Sequence, residues 1–496
     1  MKMLKTVFFV LVLFAAAVPV CRAAMPSDIQ QANILHCFNW KFNDIRVELP
    51  RIAAAGFGAI QVSPVQGNAE SGAEWFYAYL PNDLRFVSNA NGTRSQLKNL
   101  CQEAETYGIK IIVDVVANHI NPKVGFRDSW WDEGGRLRDE GAVNYNSRYS
   151  ITHGNLGKYQ DVNSELAEVQ DRAKAFIEDL ASIGVRGIRW DAAKHIGLPS
   201  EGCAFWGKMA EVEGLYFYGE VLDNPGTNSD SEWKVMREYT GYMSVTDNGL
   251  ASKLRNQFQS GKMPSVTCNL SKPAADGGPG IPSNRLVYWG ESHDEFANEG
   301  GPTKYMSQQV IDRVYLMSAC RKDAAAVYLS RPLKTGYNDI KMGVKGSTDM
   351  LDNAAITAVN NYRINTTGVE ESEAVSFGAA GYYVNARKNT AAFIMLPTPV
   401  AKDVEVSNPA GAMPDGAYTD VIGGGSFTVA GGKISGHVGA TGAAVIYVSD
   451  PSSVTAPDMD ASAPVEYYSV SGMRVERPGQ GVYIRVQDGK RTKVVF

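Results

Sequence analysis

One unit recurs along most of this 496-residue chain and limits what it can fold into: an amphipathic helix, a glycine, then a short apolar strand. It appears as RIAAAGFGAIQVSP around Gly56, CQEAETYGIKIIVDVV around Gly108, IEDLASIGVRGIRWD around Gly184 and MAEVEGLYFYGE around Gly214. Leu97, Leu100, Cys101 and Ala104 share one helical face, and Thr93 with Gln96 forms a capping-box signature ahead of them. Leu166, Val169, Ala173, Phe176, Ile177 and Leu180 make a second stripe. Each glycine sits where a helix end needs a left-handed residue to turn into the next strand. The strands are nearly unbroken apolar runs, as in parallel sheets covered on both faces. ILHCF from Ile34, a strand over Tyr242–Val245, LVYW from Leu286 and AAVYL near Ala324 bring the strands to eight. Such alternation over roughly 340 residues predicts an α/β fold, a (β/α)8 TIM barrel, with a doubly wound open sheet as the alternative.

Almost fifty residues, by an approximate reading, separate the strand ending near Val116 from the helix expected near Ser164, too many for a plain connection. They predict a lid or an inserted domain after strand 3, at about 120–163, within a barrel spanning 24–365. From 366 to 449 short β-type runs alternate with Gly, Pro and Asp turns, which predicts a C-terminal all-β sandwich. A linker at 450–464 precedes a small β tail at 465–496, read as three short strands and a possible sorting module.

The N-terminus has Lys2 and Lys5, an apolar run from Val7 to Val20, then Ala23 and Ala24, the layout of a secretory signal over residues 1–23. Export is therefore expected, to a secreted, periplasmic or cell-surface location. No later stretch is long and apolar enough to span a membrane. With 48 basic against 53 acidic residues and no basic block, nucleic acid is excluded as a partner. Cys37, Cys101, Cys203, Cys268 and Cys320 are widely spaced without a CxxC, so they read as small core residues rather than a disulfide or zinc framework. A monomer is expected.

In a barrel the strand C-terminal ends build the active site. Here those ends interrupt their apolar runs with charge. IIVDVVANH ends in Asp114, Asn118 and His119; GIRWDAAKH carries Arg189, Asp191, Lys194 and His195; LYFYGE ends in Glu220; LVYWGESHDEFAN carries Glu291, His293 and Asp294. Burying such charge is costly unless the groups pair or act. Carboxylates on separate strand ends beside an arginine and histidines suit glycoside hydrolysis, one attacking the anomeric carbon while another protonates the leaving oxygen.

DVVANH, GIRWDAAKH, the GE of YFYGEV, and ESHD match in order the four short regions of the α-amylase family of glycoside hydrolases (family 13), with YQDVN as a fifth. The resemblance runs from ILHCFNW to AAVIYV and is closest to the secreted bacterial members of the Bacillus subtilis type. It implies retaining endo-hydrolysis of α-1,4-glucosidic bonds in starch, glycogen and maltooligosaccharides. A transglycosylating or maltogenic enzyme of the family is the alternative, and a non-catalytic glucan-binding protein a remoter one. By motif, Asp191 would be the nucleophile, Glu220 the acid and then the base, and Asp294 a ligand of the sugar hydroxyls. The reacting carboxyls should lie about 5–5.5 Å apart. Arg189 would hold Asp191 by charge attraction, His119 and His293 would bind hydroxyls at the reacting sugar, and Lys194 would contact the acceptor. Tyr79 would stack on the reacting glucose and Trp75 would be a donor-side platform. Phe76 and Leu80 depart from the family, which carries a polar-edged aromatic and a glutamine there. A structural Ca2+ would be held by Asn118, Asp161 and the carbonyls of Thr152 and His195. Ser292 stands where chloride-dependent members carry Asn, which argues against chloride.

Overall fold

The computed structural model describes residues 24–67, 73–222, 230–274 and 276–448, and four short strands between 466 and 495. The expected signal at 1–23 and the linker at 450–464 lie outside the described residues. Ala23–Val448 form one compact unit.

Eight parallel strands close into a barrel. They are β1 (Asn33–Cys37), β2 (Ala59–Val62), β3 (Lys110–Val116), β6 (Gly187–Asp191), β7 (Tyr216–Gly219), β8 (Ser244–Thr246), β9 (Leu286–Trp289) and β10 (Ala325–Leu329). The missing numbers are a two-stranded ribbon, β4 (His119–Ile120) with β5 (Gln160–Asp161), in the connection between β3 and β6. Neighbours follow chain order around the ring and β1 closes on β10, so the open-sheet alternative is set aside.

Among the described residues ten helices accompany the strands: α1 (Phe42–Ala54), α2 (Arg94–Thr106), α3 (Arg148–His153), α4 (Ala167–Ser182) and α5 (Phe205–Ala210), then α6 (Asp230–Tyr239), α7 (Asn248–Gln259), α8 (His293–Ala297), α9 (Gln308–Ala319) and α10 (Ala354–Asn365). The capping box at Thr93 and Gln96 is present, and Leu97, Leu100, Cys101 and Ala104 are buried. Gly56, Gly108 and Gly184 follow the ends of α1, α2 and α4 with φ of +85°, +72° and +104°, as the repeated unit requires. Gly214 also has positive φ, yet α5 ends at Ala210, so this copy turns through a longer loop. The helix expected from Ser164 starts at Ala167, and the strand expected over Tyr242–Val245 is shifted to Ser244–Thr246.

Alternation along the strands sorts the side chains into two layers. Ile34, Ala59, Ile112, Val287 and Ala325 fill the barrel interior. Val113, Val115, Ile188 and Trp190 point outward into the larger core shared with the helices. Four cysteines are buried and Cys268 is half-buried, all as free thiols.

After α10 come two antiparallel sheets. One has the order β11 (Glu371–Ser376), β12 (Tyr382–Arg387), β13 (Ala391–Met395), β18 (Ala443–Tyr447). The other is formed by β14 (Lys402–Ser407), β15 (Gly416–Thr419), β16 (Ser426–Ala430) and β17 (Lys433–Val438). Val384, Ala392 and Ile394 of the first meet Val406, Phe427 and Ile434 of the second in a core of their own, the sandwich that the turn-rich sequence predicts. The tail, described by itself, has four antiparallel strands rather than three: β19 (Glu466–Ser469), β20 (Arg474–Val475), β21 (Val482–Gln487) and β22 (Lys490–Val495). Among the described residues no helix is long and apolar enough to cross a membrane.

A Cβ on Gly56 would lie 2.5 Å from the Asn360 Cβ. Asn360 ties three elements together, accepting from Asn33 Nδ2 and Tyr315 at 2.8 Å each and donating to the Ala55 carbonyl at 2.9 Å. Gly56→Ala therefore combines backbone strain with displacement of a buried polar hub. The expected loss is about 2 kcal/mol or more, read as a lowered thermal midpoint.

Candidate active site

The site is built where β3 and β6 pair. Their register sets Asp114 opposite Arg189 and Val116 opposite Asp191, and the two-residue period turns Asp114, Arg189 and Asp191 to the inside. Arg189 is buried at 3% exposure. Its Nη1 donates to both oxygens of Asp114 (2.9 and 3.1 Å) and to Asp191 Oδ1 (2.6 Å), and its Nη2 donates to Glu220 Oε2 at 2.8 Å. Tyr79 donates its hydroxyl to Asp114 Oδ2 at 2.9 Å. One guanidinium thus fixes three carboxylates carried by three strands.

Glu220 arrives just past β7. A Cβ on Gly219 would come within 2.4 Å of Met243 Sδ and 2.8 Å of Ala193 Cβ, so this close approach needs glycine. Ala192, directly after Asp191, is left-handed at φ +48°, a cost of about 1 kcal/mol for a residue with a Cβ. That turn aims the Ala192 N–H at Glu220 Oε2, 3.2 Å away.

Burial dominates the electrostatics. It pushes the Glu220 carboxyl up to about 8; the Arg189 charge opposes the rise, and Asp191 and Asp294 add to it. Asp114 and Asp294 are also raised by desolvation, against the pull of Arg189. The histidines move the other way. Burial lowers His119, and His293 falls to about 3, with Arg189 as the second cause. Neutral imidazoles can both donate to and accept from hydroxyls.

A cleft of about 590 Å3 opens above these groups, lined by Asp191, Glu220 and Asp294 together with His119, Tyr79, Trp75, Lys194 and His195. The three expected catalytic carboxylates therefore share one cavity. His119 bonds the Tyr79 carbonyl through Nε2 at 3.0 Å, and its ring stacks on Tyr159. Tyr79 stacks on His293 at 4.8 Å. Lys194 donates to the Leu222 carbonyl at 2.8 Å. Trp75 is 4% exposed and meets Phe38, Tyr79, His293 and Tyr337 edge-on, so it offers the cleft little of its face. Glu291 is not part of the site: it is buried in a two-point ion pair with Arg331 at 2.6 and 2.9 Å. Ser292 caps α8 in a capping box with Glu295.

Tyr145, Leu156, Tyr159, Leu222, Asn248, Asn298 and Tyr337 also line the cleft and were not identified from sequence. Asn298 was findable: it lies four residues after Asp294, one helical turn, and donates to Asp294 Oδ1 at 3.1 Å.

A second polar cluster adjoins the site. Asp161 is fully buried and neither carboxylate oxygen has a hydrogen-bond partner, although the Arg138 Nε lies 3.4 Å from Oδ2. Asn118, also buried, has an unpartnered side-chain nitrogen, and its main-chain carbonyl accepts from the Val162 N–H at 2.8 Å. His195 Nδ1 bonds the Ile151 carbonyl at 2.9 Å, placing His195 at the end of α3 that carries Thr152. The two buried Asp161 oxygens without a hydrogen-bond partner are hard donors of the kind a divalent cation takes.

Residues 42–149 match the model of the α-amylase catalytic domain. The chain is 30% identical to an α-amylase of Clostridium acetobutylicum over 375 residues, 70% of this chain and 45% of that protein. It is 26% identical to an α-amylase of Butyrivibrio fibrisolvens, covering 84% of this chain and 47% of that one. The chain is similar to α-amylases, through this catalytic-domain match and over most of its length. It spans about half the length of these two relatives. A solved structure of a variant of α-amylase I from Eisenia fetida in complex with maltohexaose superposes with a TM-score of 0.68 at 17% identity, over 86% of this chain and 99% of that one, which supports the fold. These likenesses are to α-amylases of several kinds and do not single out the Bacillus subtilis type.

Removing the guanidinium would leave three carboxylates uncompensated in a buried site. Arg189→Ala is expected to cost about 3–5 kcal/mol at pH 8. The loss should shrink at pH 5, where the raised carboxyls of Asp114 and Glu220 are protonated. Denaturant unfolding of parent and variant at the two pH values checks both the size and the sign.

Proposed function

We propose that this chain hydrolyses internal α-1,4-glucosidic bonds in starch, glycogen and maltooligosaccharides with retention of configuration. The observation that carries the reading is the pair of carboxylates held by one guanidinium, with Glu220 raised to about 8 by burial so that it keeps a proton at neutral pH. Asp191 attacks the anomeric carbon while Glu220 passes its proton to the leaving glycosidic oxygen, and the carbon–oxygen bond between the sugars breaks. The glucosyl group is then esterified to Asp191. Water enters, Glu220 takes a proton from it, the water oxygen attacks the anomeric carbon, and the ester bond to Asp191 breaks. Both residues return to their starting states.

Asp294, fixed by Asn298, accepts from hydroxyls of the reacting sugar, and the neutral imidazoles of His119 and His293 bind others. Tyr79 packs on the sugar, and Lys194 and Leu222 face the acceptor. Asn118, Asp161 and the carbonyls of Thr152 and His195 would hold a Ca2+, whose charge, when bound, would complete Asp161. The signal layout of residues 1–23 supports export, and we take the working form as a monomer.

The primary test incubates the protein with soluble starch and follows iodine colour, reducing ends and product anomers. Rapid colour loss with few reducing ends and α-anomeric products is expected; reducing ends without colour loss would replace the endo reading with an exo or maltogenic one, and no turnover would defeat it.

Glu220→Gln should lose at least about 10³-fold in kcat, with maltohexaose binding by calorimetry within a few-fold of the parent. Because Glu220 acts first as an acid, kcat/KM should fall as pH rises through about 8 in the parent. A flat profile across that range would remove the acid role.

Addition of a strong chelator should lower the thermal midpoint by several degrees, and Ca2+ should restore it. A midpoint indifferent to both would count against the cation site.

A further inference from the structure

Two loops are clasped at one side of the cleft. The Trp75 N–H donates to the Ile340 carbonyl at 3.1 Å and the Met342 N–H to the Ala73 carbonyl at 2.7 Å, so Glu74 and Lys341 face each other in an antiparallel bridge. Lys341 Nζ lies 2.5 Å from Glu74 Oε1. The loop after β10 is thereby fixed to the loop after β2, although 265 residues or so of chain lie between them. A turn in which the Gly336 carbonyl accepts from the Asp339 and Ile340 N–H groups, at 2.9 and 3.2 Å, presents Tyr337 beside this clasp.

Tyr337 lies flat on Phe76, with ring centroids 4.8 Å apart and planes 12° from parallel, and Trp75 meets it edge-on at 5.7 Å. Phe38, Phe296 and Ile340 form the buried floor beneath. Both stacked rings border the cleft and are only half-buried. Trp75 meets both Tyr337 at 5.7 Å and His293, the neighbour of Asp294, at 6.0 Å, whereas Lys194 donates its N–H to the Glu220 carbonyl at 3.3 Å and its Nζ to the Leu222 carbonyl at 2.8 Å. In a retaining hydrolase the acid marks the leaving-group side. The Asp294 side, with Tyr337, then belongs to the donor.

We propose that Tyr337 is a specificity-determining residue of the donor side: backed by the Phe76 ring stacked against it, it offers its other face to a glucose of an α-glucan, limiting how many donor sugars bind productively and so setting product length. This rests on the glucan-hydrolase reading above. Stacking needs a flat apolar face that does not move, and the clasp supplies it at low entropic cost on binding. Phe76 has no polar side-chain atom, so any hydrogen bond from this platform to a sugar comes from the Tyr337 hydroxyl.

The test compares Tyr337→Ala, Tyr337→Leu and Tyr337→Phe for hydrolysis of maltohexaose and for the products of soluble starch. The Leu variant keeps apolar bulk and guards against a folding defect in the Ala variant. Expected is a roughly tenfold fall in kcat/KM for Ala and Leu, carried mainly by KM, with a shifted product-length distribution. The Phe variant should stay within about threefold of the parent. Ala and Leu variants within twofold of the parent and with unchanged products would overturn the platform, as would a Phe variant as impaired as Ala. Calorimetric titration of maltohexaose into Glu220→Gln, with and without Tyr337→Ala, separates this inference from the reading beneath it. About tenfold weaker binding with Tyr337→Ala supports the platform even if the parent fails to cleave starch, an outcome that would defeat only the hydrolase reading. Unchanged binding overturns the platform whatever the parent does.

Discussion

A single buried cation organises this molecule's chemistry. Arg189 donates to Asp114, Asp191 and Glu220 from inside the barrel, where an unpaired charge of either sign would be expelled or neutralised. One positive charge cannot balance three carboxylates and the nearby Asp294. Desolvation and mutual repulsion therefore favour protonation, and Glu220 rises to about 8. The imbalance that makes the cluster costly to fold is also what leaves a proton available at neutral pH. Stability and chemistry here are two consequences of the same arrangement.

That arrangement depends on the closed sheet. Arg189 faces Asp114 because β6 pairs with β3 in a register that sets them side by side, and Asp191 points inward because it is two residues on. A one-residue slip would exchange Arg189 and Asp191 for Ile188 and Trp190, moving apolar groups inward and charges into the helix-covered core. Register is thus held by the cost of both errors. The left-handed Ala192 and the close-packed Gly219 are local concessions at the strand ends that bring Glu220 to the same cation.

The repeated unit and the helical stripes made the barrel legible, because each depends on short-range periodicity that a parallel sheet under helices imposes. The charged strand ends made the carboxylate cluster legible for the same reason: polar residues there violate an otherwise apolar run. Glu291 violates it too, but its partner Arg331 is forty residues away in an irregular loop, and no local pattern announces the pair. Tyr337 was missed on similar grounds. Its role depends on a stack with Phe76 that only the loop clasp creates. Trp75 shows the converse, since the motif marks an aromatic at the cleft while packing decides which ring shows its face. The tail's β20 is two residues long, too short to carry an alternating pattern.

The inserted segment adds a further dependency. β4 and β5 pair His119 with Asp161, so a residue that lines the cleft and a buried carboxylate without a hydrogen-bond partner are neighbours in one short ribbon. Two residues per strand cannot hold such a ribbon by backbone bonding alone. Whatever satisfies Asp161 then steadies the ribbon under His119, whose ring the Tyr79 carbonyl holds. On the proposed reading a divalent cation does this from outside the reaction, through position rather than chemistry, with Arg138 as a partial substitute 3.4 Å from the carboxylate. On that reading a fixed barrel floor carries the acid and nucleophile, while the loops above it hold the sugar. The division follows from where rigidity is available: strand ends for groups that must not move, and clasped or ion-tied loops for those that choose the substrate.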